Sequence, residues 1–328
     1  MIGDKGMLER INQIAKETGI PAKKIKDFLF ILRTGESAEN NELLQRVGVS
    51  KNALNQAKDL LSSLLKPPSK NTQLVESAVR EMEMIFGPDY KPEEALWSLL
   101  EDDYYRKTVE LLEKYADQRP SPVRKYDQFT ATVETTSRRA SLLNFFGDVT
   151  NKKMLFLGDN DFTSVAVANL HTASEIAVLD IDNRIIDKID SISKSEKLDI
   201  NSGHYDAGKT LPSSYSGKFD VVFTDPPYTT EGIKLFVSRA IQALDLLNQT
   251  ARIYICYGNS DRAKERFVPI NEVFSSSGLM QRWIFDKFNR YQGAESIGSA
   301  SSLFVLDVTS KTKSLIIGNY ERPIYTDN

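Results

Sequence analysis

The order of hydrophobic and polar positions divides the chain into a helical region and a region in which strands alternate with helices. In the first region apolar residues recur at helical spacing, as in Leu8, Ile11, Ile14 and Ala15, and strand patterns are nearly absent. A proline-punctuated link over 118–124 follows. The pattern therefore predicts three parts: a helical domain over 1–118, an α/β domain over 119–309 and a tail with little pattern over 310–328.

Beyond the link, short apolar runs alternate with amphipathic stretches. The runs predict strands over 154–157, 176–181, 198–206, 219–224, 253–257, 282–285 and 303–308. The stretches predict helices over 164–170, 183–192 and 232–247. This alternation is typical of an α/β fold, a Rossmann-like, methyltransferase-type doubly wound sheet. We expect its last two strands to form an antiparallel hairpin at one edge.

Composition narrows the class of protein. The 328 residues are 41% hydrophobic, enough for a sizeable core, and the formal charge of -3 provides no general attraction to nucleic acid. The single cysteine, Cys256, lies in an apolar run, which predicts core packing and a reducing, cytoplasmic location. One cysteine and two histidines exclude a His/Cys metal cluster. We find no signal peptide and no membrane-spanning run, so we expect a soluble protein without a membrane partner.

One segment of the helical region, 41–54, resembles a helix-turn-helix, with Gly48 in the turn and Ser50 capping the second helix. That helix offers lysine, asparagine and glutamine but no arginine, the commonest reader of bases. Two interpretations remain: a DNA-binding module, against which the missing arginine argues, and a module for helical packing or dimerisation. The apolar helices predict a homodimer.

The most informative motif is the strand 219–224 followed by Asp225, Pro226, Pro227 and Tyr228. Two prolines fix two φ angles and remove two N–H donors, so the chain leaves the sheet in a rigid turn. Asp225 and Tyr228 then lie at the carboxyl end of a strand, where open α/β sheets bind ligands. A carboxylate beside an aromatic ring predicts alkyl transfer to an amine nitrogen. The alternative is a strand-terminating turn with a surface aspartate.

Acidic residues after two other strands predict a nucleoside site. Asp180 ends the second strand, where such folds bind ribose hydroxyls, and Asp182 follows it. The alternative for this pair is a helix cap beside a surface acid. Asp206, after the third strand, is a candidate acceptor for an adenine amino group, or an ordinary turn residue.

The loop after the first strand reads Gly158-Asp159-Asn160-Asp161. Gly158 supplies the turn, while the two aspartates would repel the carboxylate of methionine by roughly 1 kcal/mol in water and by several at a protein surface. The same acids attract an ammonium group. The loop therefore predicts decarboxylated S-adenosylmethionine as co-substrate and a polyamine as acceptor. Alternatively, both acids cap the following helix.

With these residues in view, the stretch from about Asp127 to Val308 resembles the branched-chain polyamine synthases, or N(4)-bis(aminopropyl)spermidine synthases. The similar pieces are Asp127-Gln128, Glu134-Thr135, Arg138-Arg139, Phe156 to Asp161, Asp180 to Asp182, Asp220 to Thr229, Gly232-Ile233, Leu235-Phe236, Phe288 to Tyr291 and Gly293 to Glu295. In this chain Asn160 replaces the middle aspartate of the family's Gly-Asp-Asp-Asp loop. Where the family has an acidic tail, this chain has a segment with Lys311, Lys313 and Arg322 and few acidic residues. The helical region looks like the family's winged-helix-like N-terminal domain.

The resemblance implies an aminopropyltransferase that takes a spermidine-like acceptor to a branched product and needs no metal. In this interpretation Asp159 accepts the proton of the attacking amine, and Asp225 anchors that amine or the amino group of the co-substrate. The carbonyl of Pro226 adds an acceptor near the co-substrate, together with Gly158, Asp180, Asp182 and Asp206. The acceptor pocket would contain Asp161, Tyr228, Asn289, Tyr291 and Glu295.

Two rival functions stay open. The first is an S-adenosylmethionine-dependent N-methyltransferase acting on an exocyclic amine of nucleic acid, which the motif from Asp225 to Tyr228 would also suit. The second is a transcription factor whose C-terminal domain senses a ligand. The acidic first loop and the lack of basic stripes argue against the methyltransferase.

Overall fold

The computed structural model describes residues 4–47, 51–92, 100–258, 264–292 and 300–326. These residues form two compact units. Unit 1 comprises Met1–Leu100 with Phe145–Gly147 and Leu247–Thr250, and unit 2 comprises the remainder. The domain limits expected at 118 and 309 stay predictions. None of the described helices is long and apolar enough to cross a membrane.

Unit 1 is helical, as its hydrophobic spacing predicts. Its described helices are α1 (Asp4–Thr18), α2 (Ala22–Leu32), α3 (Asn40–Val47), α4 (Lys51–Leu60) and α5 (Glu76–Ile85). Two short strands that the pattern does not predict, β1 (Ala38–Glu39) and β2 (Asn71–Thr72), pair antiparallel. The apolar face of α1 is buried at Ile11, Ile14 and Ala15. The expected turn with Gly48 and Ser50 lies outside the described residues, and the winged-helix-like character stays a prediction.

Unit 2 contains a mixed sheet of eight described strands. They are β3 (Thr130–Ala131), β4 (Lys153–Leu157), β5 (Glu175–Asp180), β6 (Asn201–His204), β7 (Val221–Thr224), β8 (Arg252–Tyr257), β9 (Met280–Gln292) and β10 (Ala300–Asp307). The spatial order is β3-β9-β10-β8-β7-β4-β5-β6. The pairs from β8 to β6 are parallel, whereas β10 is antiparallel to both β8 and β9.

Helices connect these strands and cover the sheet. The described helices of this part of the chain are α6 (Asp103–Glu113), α7 (Val133–Phe145), α8 (Thr163–Ala168), α9 (Asn183–Glu196), α10 (Thr230–Ala243) and α11 (Phe267–Ser276). Leu155 and Leu157 of β4 belong to a core cluster shared with α10 and α11. Phe156, which points to the opposite face because strand side chains alternate, contacts the Phe223 ring at 5.9 Å between centroids. Both faces of the sheet are buried, which confirms the doubly wound α/β fold.

Several element limits differ from the sequence prediction for local physical reasons. Helix α10 begins at Thr230 because the Thr229 side chain caps it, and it ends at Ala243 because Leu244 turns extended. Strand β9 is much longer than the expected 282–285 since its polar second half pairs with both β10 and β3. The edge strand on this side of the sheet is therefore β3, which does not belong to the hairpin that the sequence predicts.

The direction of the strand order reverses between β4 and β7. From β4 the chain continues to β5 and β6 on one side, while β7 and β8 extend the sheet on the other. Leu157 and Thr224, the last residues of β4 and β7, are direct neighbours. The loops that follow these two strands therefore open side by side at the switch point, where such sheets bind ligands.

Candidate active site

Gly158 makes the turn that leads out of β4. Its φ of +75° is left-handed, and its N–H donates to the Leu179 carbonyl at 2.8 Å. A Cβ atom built on Gly158 would meet no atom within 4 Å. The backbone is thus open above this turn, as close approach of a ligand requires.

Asp159 is buried and bonded to the start of α8. Its two carboxylate oxygens accept the N–H groups of Thr163 at 2.8 Å and Ser164 at 3.0 Å. Burial raises the pKa of Asp159 to about 7, although these hydrogen bonds work in the opposite direction. The capping role considered for this acid is therefore present. Its role as proton acceptor stays a prediction, and a pKa near neutrality suits that role.

Asp161 and Asp225 are joined by one buried arginine. Arg139, on α7, donates from Nη1 to Asp161 Oδ2 and from Nη2 to Asp225 Oδ2, both at 2.8 Å. The guanidinium has no exposed surface. Asp161 also accepts the Ala131 N–H at 2.6 Å. Burial raises the pKa of Asp161, and the Arg139 charge opposes that rise. The loops after β4 and β7 are thereby locked together through α7.

Two tyrosines complete the hydrogen bonding of Asp225. Tyr228 donates its hydroxyl to Oδ1 at 2.9 Å, and Tyr291, on β9, donates to Oδ2 at 2.6 Å. The two hydroxyl oxygens are themselves 2.9 Å apart. Burial raises the pKa of both tyrosines well above its usual value, so each remains a donor at neutral pH. Asp225 therefore has a fixed orientation, with 12% of its side chain exposed.

Asn289 supports the guanidinium from the other side. Its Oδ1 accepts from Arg139 Nε at 2.8 Å, while its Nδ2 donates to Ser301 Oγ at 2.8 Å. Ser301 Oγ also lies 2.8 Å from the Tyr291 hydroxyl. Cys256, buried as its apolar run predicts, has its sulfur 3.3 Å from Asn289 Nδ2. The predicted residues Asp161, Asp225, Tyr228, Asn289 and Tyr291 thus form one network around Arg139.

The acids predicted to bind a nucleoside lie at the carboxyl ends of β5 and β6. Asp180 accepts the N–H groups of Asp159 at 2.9 Å and Asp182 at 2.8 Å, and burial raises its pKa. Asp182 caps α9 and pairs with Arg184, which lowers the pKa of Asp182. Asp206 accepts the Gly208 N–H at 2.8 Å. The cap considered for this pair is therefore present at Asp182.

The turn made by Pro226 and Pro227 lies at the same edge of the sheet, directly after β7 and Asp225. Pro226 is buried directly after Asp225. Glu295, the remaining predicted residue, lies outside the described residues.

Sequence reasoning assigns no role to two arginines of the site, although Arg139 belongs to a piece that resembles the family. Arg139 has a detectable signal: it occupies a helical face otherwise made of small or apolar residues such as Thr136, Leu142 and Leu143. Arg119 lies over the Phe162 ring at 5.4 Å and donates from Nη1 to the Ala131 carbonyl. Among the described residues its Nε and Nη2 have no hydrogen-bond partner. No spacing or motif distinguishes Arg119 in the sequence.

Comparison with known proteins adds to this geometry. A family model for the branched-chain polyamine synthase A C-terminal domain matches residues 107–323. The chain is 29% identical over 325 residues to an uncharacterized protein of Methanocaldococcus jannaschii, which covers 96% of this chain and 81% of that relative. It is 38% identical over 141 residues to the N(4)-bis(aminopropyl)spermidine synthase of the same organism, which covers 43% of this chain and only 40% of that relative.

A solved structure shares the fold along nearly the whole length. It is the branched-chain polyamine synthase of Thermus thermophilus in complex with N4-aminopropylspermidine and 5'-methylthioadenosine. The match has a TM-score of 0.62 at 22% identity and covers 97% of this chain and 98% of that chain.

Proposed function

The chain belongs to the branched-chain polyamine synthase family, whose model matches 107–323, and from this premise we propose that it is an aminopropyltransferase. The donor is decarboxylated S-adenosylmethionine, the acceptor is a spermidine-like polyamine, and the products are a branched polyamine and methylthioadenosine. Both products correspond to the two ligands named for the Thermus thermophilus synthase. The observation that carries the proposal is the group of three aspartates, Asp159, Asp161 and Asp225, at the switch point of the sheet.

The charges at this edge suit cationic substrates. Asp159 and Asp161 follow β4, and Asp225 follows β7, so three carboxylates lie at the same edge of the sheet. Arg139 is bonded to two of them and offsets part of their charge. A sulfonium with a terminal ammonium, and a polyamine, both gain from the remaining negative charge.

The nucleoside would lie toward β5 and β6. Asp180 and Asp182 suit the ribose hydroxyls, and Asp206 suits an exocyclic amine, because carboxylates accept hydrogen bonds. Gly158 lets the ligand approach the backbone above its turn. The sulfonium would then lie near the β4 and β7 loops, with the carbonyl of Pro226 as an additional acceptor.

The reaction is an in-line displacement. The lone pair of a neutral amine forms a bond to the methylene beside the sulfonium, and the carbon–sulfur bond breaks with its electrons passing to sulfur. The proton released by the amine passes to Asp159, whose pKa of about 7 lets it accept near neutral pH. Asp225, held by Tyr228 and Tyr291, orients the attacking nitrogen. Asp161 and Glu295 would hold remote ammonium groups, and Asn289 supports the pocket.

One observation favours a second function, methyl transfer from intact S-adenosylmethionine. Arg119, whose Nε and Nη2 have no hydrogen-bond partner in the described part of the chain, has a pKa that is lowered by burial and raised by the charges of Asp161 and Asp159. A guanidinium over the ring of Phe162, the residue that follows the first loop, suits a carboxylate. Three acids outweigh it, so aminopropyl transfer remains the function that the geometry supports best.

Mass analysis of the polyamine tests the proposal. We expect incubation with spermidine and decarboxylated S-adenosylmethionine to add one or two aminopropyl groups and to release methylthioadenosine in equal amount. The matched control is Asp225→Asn, which keeps the side-chain volume and should form little product. An unmodified polyamine with the wild-type protein would contradict the proposal.

A further inference from the structure

The segment that follows β10 returns to the carboxyl edge of the sheet. It begins near the α11–β9 turn, where Thr309 and Thr312 donate to the Gly278 carbonyl. It then runs along α10, where the Ile316 N–H donates to Ser238 Oγ at 3.1 Å. The Tyr320 N–H donates to the Gly208 carbonyl at 2.7 Å, beside the β6 loop. The segment therefore crosses unit 2 from the amino edge of the parallel strands to their carboxyl edge.

Residues 324–326 are fixed at both sides of the proposed nucleoside site. On the β7 side, Thr229 Oγ1 donates to the Ile324 carbonyl at 2.7 Å, and the Ile324 side chain is buried. On the other side, Thr326 donates from N and Oγ1 to the Asp127 carboxylate at 2.9 and 2.5 Å. Ile324 and Thr326 therefore hold Tyr325 between two separate anchors.

Asp127 belongs to the β5 side of the site. The next residue, Gln128, donates from Nε2 to Asp182 Oδ2 at 3.3 Å. Strands β5, β4 and β7 are neighbours in the sheet, and their outer pair lies about 10 Å apart. Three residues reach about the same distance when extended. Residues 324–326, which we call the strap, are thus long enough to pass across the carboxyl ends of all three strands.

Tyr325, the middle residue of the strap, lies beside Tyr126 and within electrostatic range of the acids that end β5 and follow β6. Its ring lies 5.9 Å from the Tyr126 ring, and it packs against the core cluster of the sheet. Burial raises the pKa of Tyr325, and the charges of Asp206, Tyr126 and Asp180 influence it further. The phenol is therefore close to the groups assigned to adenine and ribose.

We propose that the strap forms one wall of the nucleoside pocket and that the Tyr325 ring binds the purine of the co-substrate. This inference rests on the proposed function, because it takes the pocket at Asp180 and Asp206 to hold a nucleoside. An aromatic face packs on a purine, and the two anchors hold that face in place without help from the ligand. Tyr325 is then a binding residue for the donor, while Thr326 and Asp127 position it.

Calorimetric titration with methylthioadenosine tests the strap. Tyr325→Ala should weaken binding roughly tenfold, the size expected for one base–aromatic contact, whereas Tyr325→Phe should stay within about twofold. Thr326→Val keeps the shape but removes the hydroxyl bond to Asp127, so it should weaken binding by a smaller factor. Ile317→Ala, an 86% exposed residue of the same segment, is the matched control and should bind as the wild type does.

Steady-state kinetics separate a binding role from a general loss of structure. Tyr325→Ala should raise KM for decarboxylated S-adenosylmethionine and leave KM for spermidine nearly unchanged, and a cooperative melting transition shows that the variant is folded. If Tyr325→Ala binds methylthioadenosine as tightly as the wild-type protein does, or more tightly, the proposed role of the strap is wrong. Failure of the wild-type protein itself to bind methylthioadenosine would instead overturn the proposed function, so the two failures are distinguishable.

Discussion

Two buried arginines of unit 2 have almost the same chemical surroundings, but they lie at opposite edges of the sheet. Arg139 bonds to Asp161, Asp225 and the Tyr291 hydroxyl. Arg252 bonds to Asp307 through Nε and to Asp148 through Nη1, both at 2.7 Å. The Tyr254 hydroxyl donates to Asp148 as well, at 2.5 Å. Each network thus has a buried guanidinium between two carboxylates, with at least one phenol donating to a carboxylate. Arg282 adds a second guanidinium to the Arg252 network, where it bonds to Asp307.

Position in the sheet distinguishes the two networks. Arg252 begins β8 and pairs with Asp307 at the end of antiparallel β10, so this network closes the amino edge of the parallel strands. Arg139 lies at the carboxyl edge, where it connects the loops after β4 and β7. Only the second network adjoins Asp159, the carboxyl whose pKa burial raises to about 7. A buried ion network is therefore weak evidence of function unless it also lies at the switch point.

The largest expected effect on activity is that of Asp159→Asn. Loss of the proton acceptor should lower kcat on the order of 10²–10⁴-fold, because general base catalysis contributes that much. Asp148→Asn, at the Arg252 network, is the control and should retain kcat in the folded protein. Both are measured as methylthioadenosine release. Equal activity of Asp159→Asn and wild type would remove Asp159 from the mechanism.

Removal of the two arginines should separate stability from activity. Arg139→Met removes the guanidinium bonded to Asp161 and Asp225, and Arg252→Met removes the one bonded to Asp148 and Asp307, although Asp307 keeps its bond to Arg282. Arg139→Met should lower the free energy of unfolding by about 3–5 kcal/mol, and Arg252→Met should lower it by a similar or smaller amount. Urea unfolding measures this loss. In the fraction that remains folded at low temperature, Arg139→Met should reduce kcat roughly tenfold or more, and Arg252→Met should not. An equal loss of activity in both would show that the networks act alike.

The pH dependence should report the raised pKa of Asp159. Below about pH 7 the carboxyl is protonated and cannot accept a proton, so kcat/KM should fall roughly tenfold per unit as the pH decreases. Stability should change in the opposite direction. Between the usual pKa of 3.8 and about 7, Asp159 is protonated in the folded state and ionised in the unfolded state. The stability that this protonated carboxyl contributes is therefore lost as the pH rises through that window. In Asp159→Asn this pH-dependent part of the stability should be absent, and its persistence would assign it to another group.

The smallest effects are expected from the phenols. Tyr228→Phe removes the hydroxyl that donates to Asp225 and should raise KM for the polyamine about fivefold, the equivalent of one hydrogen bond. Tyr254→Phe removes the corresponding hydroxyl at Asp148 and should lower only the free energy of unfolding, by about 1–2 kcal/mol. A polyamine KM that changes only in Tyr254→Phe would reverse the proposed assignment of the networks.

The sequence predicts those parts of the site that depend on neighbouring residues. Asp225 to Tyr228 and Gly158 to Asp161 each follow a short apolar strand, so strand order alone brings them together. Arg139 is different, because its partners Asp225 and Asn289 are distant along the chain and meet it only in the folded sheet. The polar second half of β9 likewise hides a strand that tertiary pairing creates.

The double role of Asp159 also exceeds what a pattern can show. Its spacing before α8 predicts a helix cap, and its place in the first loop predicts a ligand contact. Both interpretations use the same carboxylate, and the raised pKa arises from burial that only the packed structure defines. The strap 324–326 shows little pattern in the sequence because its anchors, Thr229 and Asp127, lie far away along the chain.

The most direct test of the acid-lined site is the ratio of kcat/KM for decarboxylated and intact S-adenosylmethionine, with spermidine as acceptor. The three carboxylates should disfavour the added carboxylate by several kcal/mol despite the charges of Arg139 and Arg119, so the ratio should exceed about 100. Arg119→Gln should leave the turnover of the decarboxylated donor nearly unchanged. A ratio near one, or methyl transfer from the intact donor, would contradict the account.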